Sequence, residues 1–322
     1  TRIVTAAALS AGDLDRVVAY AAGAGARVCA VVDSFPMAAR DAIVAGLSAA
    51  RATRVLDRVV PNPRVEDIMV MADEVRAFRP DAIVAIGGGS TLDSAKALSV
   101  LSAHEGDLEE YLGPDPTRKI AGRGALMIAV PTTAGTGAEV TRFGVYTARG
   151  GRKYTLAHPA LQPDIAILAA ALTHSLPPDV TAATGIDALS HALETIWNRN
   201  GTPASDAAAI GAAAAILEWL PVAHGSAREG GAAGRGEMLE AACRAGTAFN
   251  RTGTAMVHAL SFILSEEWHV PHGVACAFTL EDAVRINGED AAIAEKLARI
   301  GAGGPGELAG RIVSLKRSMG LP

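Results

Sequence analysis

The sequence predicts an α/β domain followed by an all-α domain. Three observations carry this: short β-branched runs alternate with helical stretches through the first half, strand signals all but stop at Thr173, and Leu176-Pro177-Pro178 breaks the chain in between. Residues 28–32 read as a buried strand, 37–52 as a helix and 55–60 as a second strand. Residues 65–78 have helical periodicity, and 81–86 are a third strand. A glycine cluster follows, then a helix over 91–102 and a fourth strand over 125–130. No clear strand opens the chain. Strands alternating with helices imply a Rossmann-like parallel sheet covered on both faces. The expected division is residues 1–172 for the sheet domain and 173–322 for the helical one. In the latter, the Ala-rich run over 204–220 is broken by Asp206 and Glu218 and reads as a packed helix, and the Gly-rich stretch 225–236 reads as a surface connection.

Composition narrows the function. Half of the 322 residues are hydrophobic and the net charge is −5, so there is no basic field for nucleic acid or an anionic membrane. Cys29, Cys243 and Cys276 are too few and too scattered for a disulfide framework and read as reduced core thiols. No stretch reaches the roughly 18 uncharged apolar residues of a membrane span, and Thr1-Arg2-Ile3-Val4 lacks a signal-peptide pattern. A cytoplasmic homo-oligomer, a dimer, is expected, with no nucleic-acid or membrane partner.

Two loops at strand ends are candidates for a nucleotide. Gly87, Gly88, Gly89 and Ser90 follow a strand and open a helix. Glycines let the backbone approach a ligand, and the helix N-terminus offers unpaired N–H groups and a positive dipole end, which suits a pyrophosphate. The spacing is not G-x-G-x-x-G, and a tight turn without a ligand fits it as well. A second loop, rich in hydroxyls and small residues, carries Thr132, Thr133 and Thr136 after the fourth strand, at the edge where open α/β sheets bind ligands. Asp33 ends the first of these strands. A carboxylate there bonds a ribose 2′-hydroxyl and repels a 2′-phosphate, so NAD(H) is expected over NADP(H); the alternative is an ordinary turn residue.

The second half carries a possible metal set. Asp187 and His191 stand four apart in an otherwise apolar helical pattern, so they share a face. Buried polar groups must be paired or bound, and a mutual hydrogen bond is the plainer account. His258 falls on a later helix and His272 at the turn after it. A lone histidine is usually structural, but Asp187, His191, His258 and His272 together fit one divalent cation, Fe2+ or Zn2+.

Taken together, Gly87 to Ser90 with Asp93 and Lys96, residues 131–141, 185–194 and 258–273 resemble the iron-containing (group III) alcohol dehydrogenase family. Val60-Pro61-Asn62-Pro63 is similar to a family segment, and order and spacing hold from about residue 26 to 280. The resemblance implies a dehydroquinate synthase-like architecture, with a dinucleotide-binding N-domain and a helical metal-binding C-domain. It implies Asp187, His191, His258 and His272 as ligands, and Asn62, Asp93 and Lys153 at the cofactor. Many members carry a histidine where this chain has Phe262, and relatives continue for several helical turns beyond Leu321-Pro322. Phe262, Arg142, Arg152-Lys153 and Trp197-Asn198-Arg199 look similar to the phosphonoacetaldehyde reductase subgroup of phosphonate biosynthesis, whose reaction gives 2-hydroxyethylphosphonate. Solvated surface charges are the plain account of Arg142, Arg152 and Arg199.

The reaction this implies is reduction of a metal-bound aldehyde by hydride from a nicotinamide. The competing readings are a lyase resembling dehydroquinate synthase, a reductase of neutral short-chain aldehydes, and a non-catalytic metal or nucleotide sensor.

Overall fold

The computed structural model of the chain describes residues 1–301 and 303–322. The chain forms two compact units: Thr1–Thr132 with Ala138–Leu172, and Thr133–Gly137 with Thr173–Pro322.

The first unit is a six-stranded parallel sheet with helices. Its strands are β1 (Arg2–Ala6), β2 (Val28–Asp33), β3 (Thr53–Val59), β4 (Ala82–Gly87) and β5 (Leu126–Pro131). β6 (Phe143–Thr147) and β7 (Lys153–Ala157) form a separate antiparallel hairpin, and β8 (Ile165–Ala169) returns to the sheet. The order is β1-β8-β5-β4-β2-β3. The helices are α1 (Ala11–Ala22), α2 (Ala38–Ala50), α3 (Val65–Phe78) and α4 (Gly89–Leu101). Successive side chains of a strand face opposite ways. In β2, Cys29 and Val31 enter a core with Ile68, Met71 and Leu98, while Val28, Ala30 and Val32 enter another with Leu14, Val18 and Leu47. A strand apolar on both faces reads as an unbroken run, which is why β2 and β4 are visible in the sequence.

The opening of the chain differs from expectation. Arg2–Ala6 is a strand after all, paired with β8 along its length from Arg2↔Ile165 to Ala6↔Ala169. It is an edge strand whose first four residues are exposed, so backbone pairing places it and no burial pattern announces it. The sequence pattern likewise does not announce helix α1, capped by Ser10 and Asp13 in a reciprocal pair of hydrogen bonds, or strands β6 to β8.

The second unit is helical: α5 (Pro178–Ile196), α6 (Pro203–Arg228), α7 (Arg235–Thr252), α8 (Met256–Glu267), α9 (His272–Ala277), α10 (Leu280–Asn287), α11 (Ala291–Ala298) and α12 (Pro305–Ser318). Among the described residues no strand follows Ala169. Helix α6 runs through Gly225, so the Gly-rich connection shrinks to residues 229–234. By length and composition α6 is long and apolar enough to cross a membrane. It buries Ile210, Ile216, Leu217 and Leu220, and its Asp206 is ion-paired with Lys296 at 2.8 Å. Two glycines bring the helices close. A Cβ on Gly185 of α5 would strike Leu220 of α6, and one on Gly273 of α9 would fall on the Ala183 carbonyl of α5.

Candidate metal centre and nucleotide loop

Helix α5 is buried from Gly185 onward, and it carries three ionisable groups into that interior: Asp187, His191 and Glu194. Their offsets of four and three residues put them on one face. Burying charge demands compensation. Around Asp187 Oδ1 stand Nε2 of His258 at 3.4 Å, of His272 at 3.6 Å and of His191 at 3.9 Å. These separations exceed good hydrogen bonds. Ligands about 2.1 Å from one cation at tetrahedral corners stand about 3.4 Å apart, so this spacing suits atoms that share a metal.

The orientation of His258 supports the fit. Its Nδ1 is 2.5 Å from Glu194 Oε2, whose carboxylate also accepts the N–H groups of Ala255 (2.9 Å) and Val257 (2.6 Å). Glu194 thereby holds the proton on Nδ1 and turns Nε2 toward Asp187, where Nε2 is buried without a hydrogen-bond partner. Burial pushes the His258 imidazole down, but Cys276, Asp187 and Glu194 together raise it well above its ordinary value, and a cation held between Nε2 and Asp187 would take the place of the proton favoured there. Burial pushes the Asp187 carboxyl up, but the His191, His272 and His258 imidazoles reverse this and hold it well below the usual range. Burial drives the His191 imidazole down to about 4, which keeps it neutral and suited to ligation. His191 is stacked between Phe249 (4.2 Å between centroids) and His258 (4.4 Å). His272 starts α9 and remains partly open, with Phe262 stacked 6.1 Å away.

The structure therefore brings Asp187, His191, His258 and His272 together. Sequence reasoning missed two neighbours. Glu194 has the helical offset that would have flagged it. Cys276, read as a core thiol, lies with its Sγ 3.9 Å from Asp187 Oδ1.

In the sheet unit, β4 ends at Gly87 and α4 starts at Gly89, with Gly88 as its N-cap. Glycine supplies no capping side chain, so the first N–H groups of this thirteen-residue helix have no side-chain cap. A Cβ on Gly87 would collide with the Thr91 side chain. Asn62, in the left-handed region at φ 57, donates its N–H to Ser90 Oγ (3.2 Å), and Lys153 Nζ donates to Asn62 Oδ1 (3.0 Å). Thr132 donates its N–H to the Gly87 carbonyl (3.0 Å). Asn62, Gly87, Ser90, Thr132 and Lys153 thus form one neighbourhood.

Other candidates are placed differently. Thr133 and Thr136 belong to the segment that joins the helical unit, where Gly135 lies against Thr184 of α5. Asp93 has both carboxylate oxygens engaged, one by Lys96 Nζ (3.3 Å) and one by the Val145 N–H (3.0 Å). Lys96 also donates to Thr141 and to the Phe143 carbonyl, so the pair fastens α4 to β6. Asp33 accepts from Phe35 N–H (3.1 Å) and from the buried Arg40 guanidinium (2.7 Å), which offsets the charge expected to repel a 2′-phosphate. Arg142 precedes β6 at the end where Phe143 pairs with Ala157, while Arg152 precedes β7 at the opposite end, where Lys153 pairs with Thr147. The hairpin therefore separates these two arginines. Arg199 is exposed beyond the end of α5.

The comparisons agree with this architecture. The family profile described as iron-containing alcohol dehydrogenase matches residues 5–170, and that of the Fe-containing alcohol dehydrogenase family, C-terminal, matches 181–313. The chain belongs to the iron-containing alcohol dehydrogenase family. It is 42% identical over 227 residues to the probable alcohol dehydrogenase EutG of Salmonella typhimurium, covering 70% of this chain and 56% of that one. It is 37% identical over 232 residues to the sulfoacetaldehyde reductase of Bilophila wadsworthia, covering 70% and 57%. The chain thus spans little more than half the length of these curated relatives. The crystal structure of sulfoacetaldehyde reductase from Bifidobacterium kashiwanohense in complex with NAD+ superposes with a TM-score of 0.91 at 31% identity, covering 100% of this chain and 85% of that one.

Proposed function

We propose that the chain is a nicotinamide- and divalent-metal-dependent alcohol dehydrogenase acting as an aldehyde reductase. The observation that carries this reading is the convergence of three imidazole nitrogens on one buried oxygen of Asp187. Iron(II) or zinc held by Asp187, His191, His258 and His272 supplies Lewis acidity to a carbonyl oxygen, and a reduced nicotinamide supplies the hydride. The protein's own share is orientation. Glu194 fixes the His258 tautomer, and the stack of Phe249, His191 and His258 fixes the His191 ring. Phe262 beside His272 is an apolar wall with no proton to give, so the proton comes from water or a ribose hydroxyl. Gly87, Gly88, Gly89 and Ser90 receive the pyrophosphate at the start of α4, with Asn62 and Lys153 alongside.

For the cofactor the reading keeps NAD(H) ahead of NADP(H), supported by Asp33 at the end of β2 and by the NAD+ bound to a structural relative. Because Arg40 already pairs with Asp33, the margin is small.

The substrate is a small aldehyde bearing an anionic group, with 2-phosphonoacetaldehyde the leading candidate. Two relatives named sulfoacetaldehyde reductase support an anionic aldehyde, and Arg142, Arg152 and Arg199 are the cations that would recognise it. The separation of Arg142 from Arg152 along the hairpin favours a second reading, a pocket for neutral short-chain aldehydes.

The test is metal analysis of the purified protein together with kcat/KM for 2-phosphonoacetaldehyde, sulfoacetaldehyde and propanal, with NADH and NADPH. Stoichiometric metal and net oxidation of NADH by the anionic aldehydes are expected. Equal rates on propanal select the neutral pocket, and turnover without net cofactor consumption selects a lyase.

A further inference from the structure

Two donor pairs with the same helical offset face one another in the helical unit. Asp187 and His191 stand four apart on α5, and His272 and Cys276 stand four apart on α9. The missing side chain at Gly273 lets α9 settle on the Ala183 main chain, which brings the second pair onto the first. The Cys276 side chain is fully buried, with Sγ 3.9 Å from Asp187 Oδ1. One donor atom each from Asp187, His258, His272 and Cys276 lie within 4.8 Å of one another. Nε2 of His258, buried and without a hydrogen-bond partner, faces the same group.

A thiolate at 2.3 Å and a carboxylate oxygen at 2.1 Å from one cation at tetrahedral corners stand about 3.6 Å apart. The observed 3.9 Å is within a few tenths of an ångström of that spacing. As a hydrogen bond to sulfur the same distance is at the long limit.

We propose that Cys276 is a sulfur donor of the metal site, joining Asp187, His191, His258 and His272 and binding a soft or borderline divalent cation as thiolate. This rests on the metal-dependent reading above and specifies which cations that site takes. On binding, the S–H bond breaks, a sulfur–metal bond forms and the proton leaves to solvent; the metal stays divalent and nothing is oxidised. A sulfur donor turns an imidazole–carboxylate site toward zinc, cobalt and cadmium and away from magnesium and manganese.

The experiment is titration of the metal-free full chain with Co2+ and with Cd2+, reading sulfur-to-metal charge-transfer absorption in the near ultraviolet alongside bound metal by elemental analysis. One equivalent of metal and a charge-transfer band are expected, both in the unaltered chain and in the Cys29→Ser, Cys243→Ser double variant. In Cys276→Ser the band should vanish while weakened metal binding persists. Metal bound stoichiometrically by the unaltered chain without the band overturns the sulfur assignment and leaves the metal-dependent reductase standing. A band that survives in Cys276→Ser overturns it as well. Absence of metal binding in the unaltered chain overturns both readings. A missing band in the unaltered chain refutes the assignment, and a band in the double variant, which keeps Cys276 as its one cysteine, supports it, so a Cys276→Ser variant that folds poorly does not hide the answer.

Discussion

The glycine turn of the sheet unit and the imidazole cluster of the helical unit are built on opposite plans. At Gly87, Gly88 and Gly89 the chain clears side chains away and leaves the backbone N–H groups at the head of α4 without a side-chain cap, the donors proposed for a pyrophosphate. At Asp187 it crowds side chains in, and each needs a neighbour to aim it: Glu194 for His258, and Phe249 for His191. A backbone site is set once the strand, turn and helix form. A side-chain site depends on residues far apart in sequence, here α5, α8 and α9, and is vulnerable at every layer.

That contrast breaks most visibly at the metal ligands. Asp187→Ala and His258→Ala should lose bound metal and at least about 10³-fold in kcat/KM, the scale of removing a Lewis acid. Full metal occupancy with full turnover in either variant would remove the cluster from the chemistry.

A smaller loss tests the aiming layer. Glu194→Gln keeps the shape but not the charge that holds the Nδ1 proton, and should weaken metal affinity by about 10–100-fold. Equilibrium dialysis measures this, and NADH affinity should not change. An unchanged metal affinity would make Glu194 a packing residue only.

Arg142 sharpens the substrate side. Losing one charge-assisted hydrogen bond costs about 1.5–3 kcal/mol, or about one to two decades. Arg142→Ala should show that loss in kcat/KM for 2-phosphonoacetaldehyde and none for propanal. A parallel drop on both aldehydes points to hairpin damage instead of anion recognition.

The mildest effect belongs to the backbone site. Gly87→Ala drives a methyl against Thr91 and should cost about 1–3 kcal/mol of stability, with weaker NADH binding and unaltered metal content. Thermal unfolding and cofactor titration on the same sample separate the two regions.

What the sequence revealed follows from where the information lies. Strands β2 and β4 are legible because both faces meet apolar layers. Strand β8 is equally buried, but a five-residue apolar run is ambiguous between strand and buried helix. Asp187 and His191 are legible because one helical turn relates them. Glu194 shares their face, yet its role depends on His258, 64 residues away in sequence. Cys276 follows His272 by four, but buried thiols are commonplace, so only the packing of α9 on α5 singles it out. The resemblance places Asp93 at the cofactor, but no local pattern shows that Asp93 and Lys96 also fasten the hairpin, a contact made across more than forty residues.

The position of β1 has a consequence for how the chain comes together. Strands β2, β3 and β4 find their neighbours within a few dozen residues, with Val28 opposite Ala82. Arg2 lies opposite Ile165, and among the described residues β8 is the strand that β1 pairs with, so this pairing waits until β8 has been synthesised. By loop-closure entropy, joining these ends costs roughly 1 kcal/mol more than joining β2 to β4, and it comes late. During translation the segment holding Ile3 and Val4 therefore waits as an unpaired β-forming stretch, exposed to other nascent chains, until β8 arrives to sequester it.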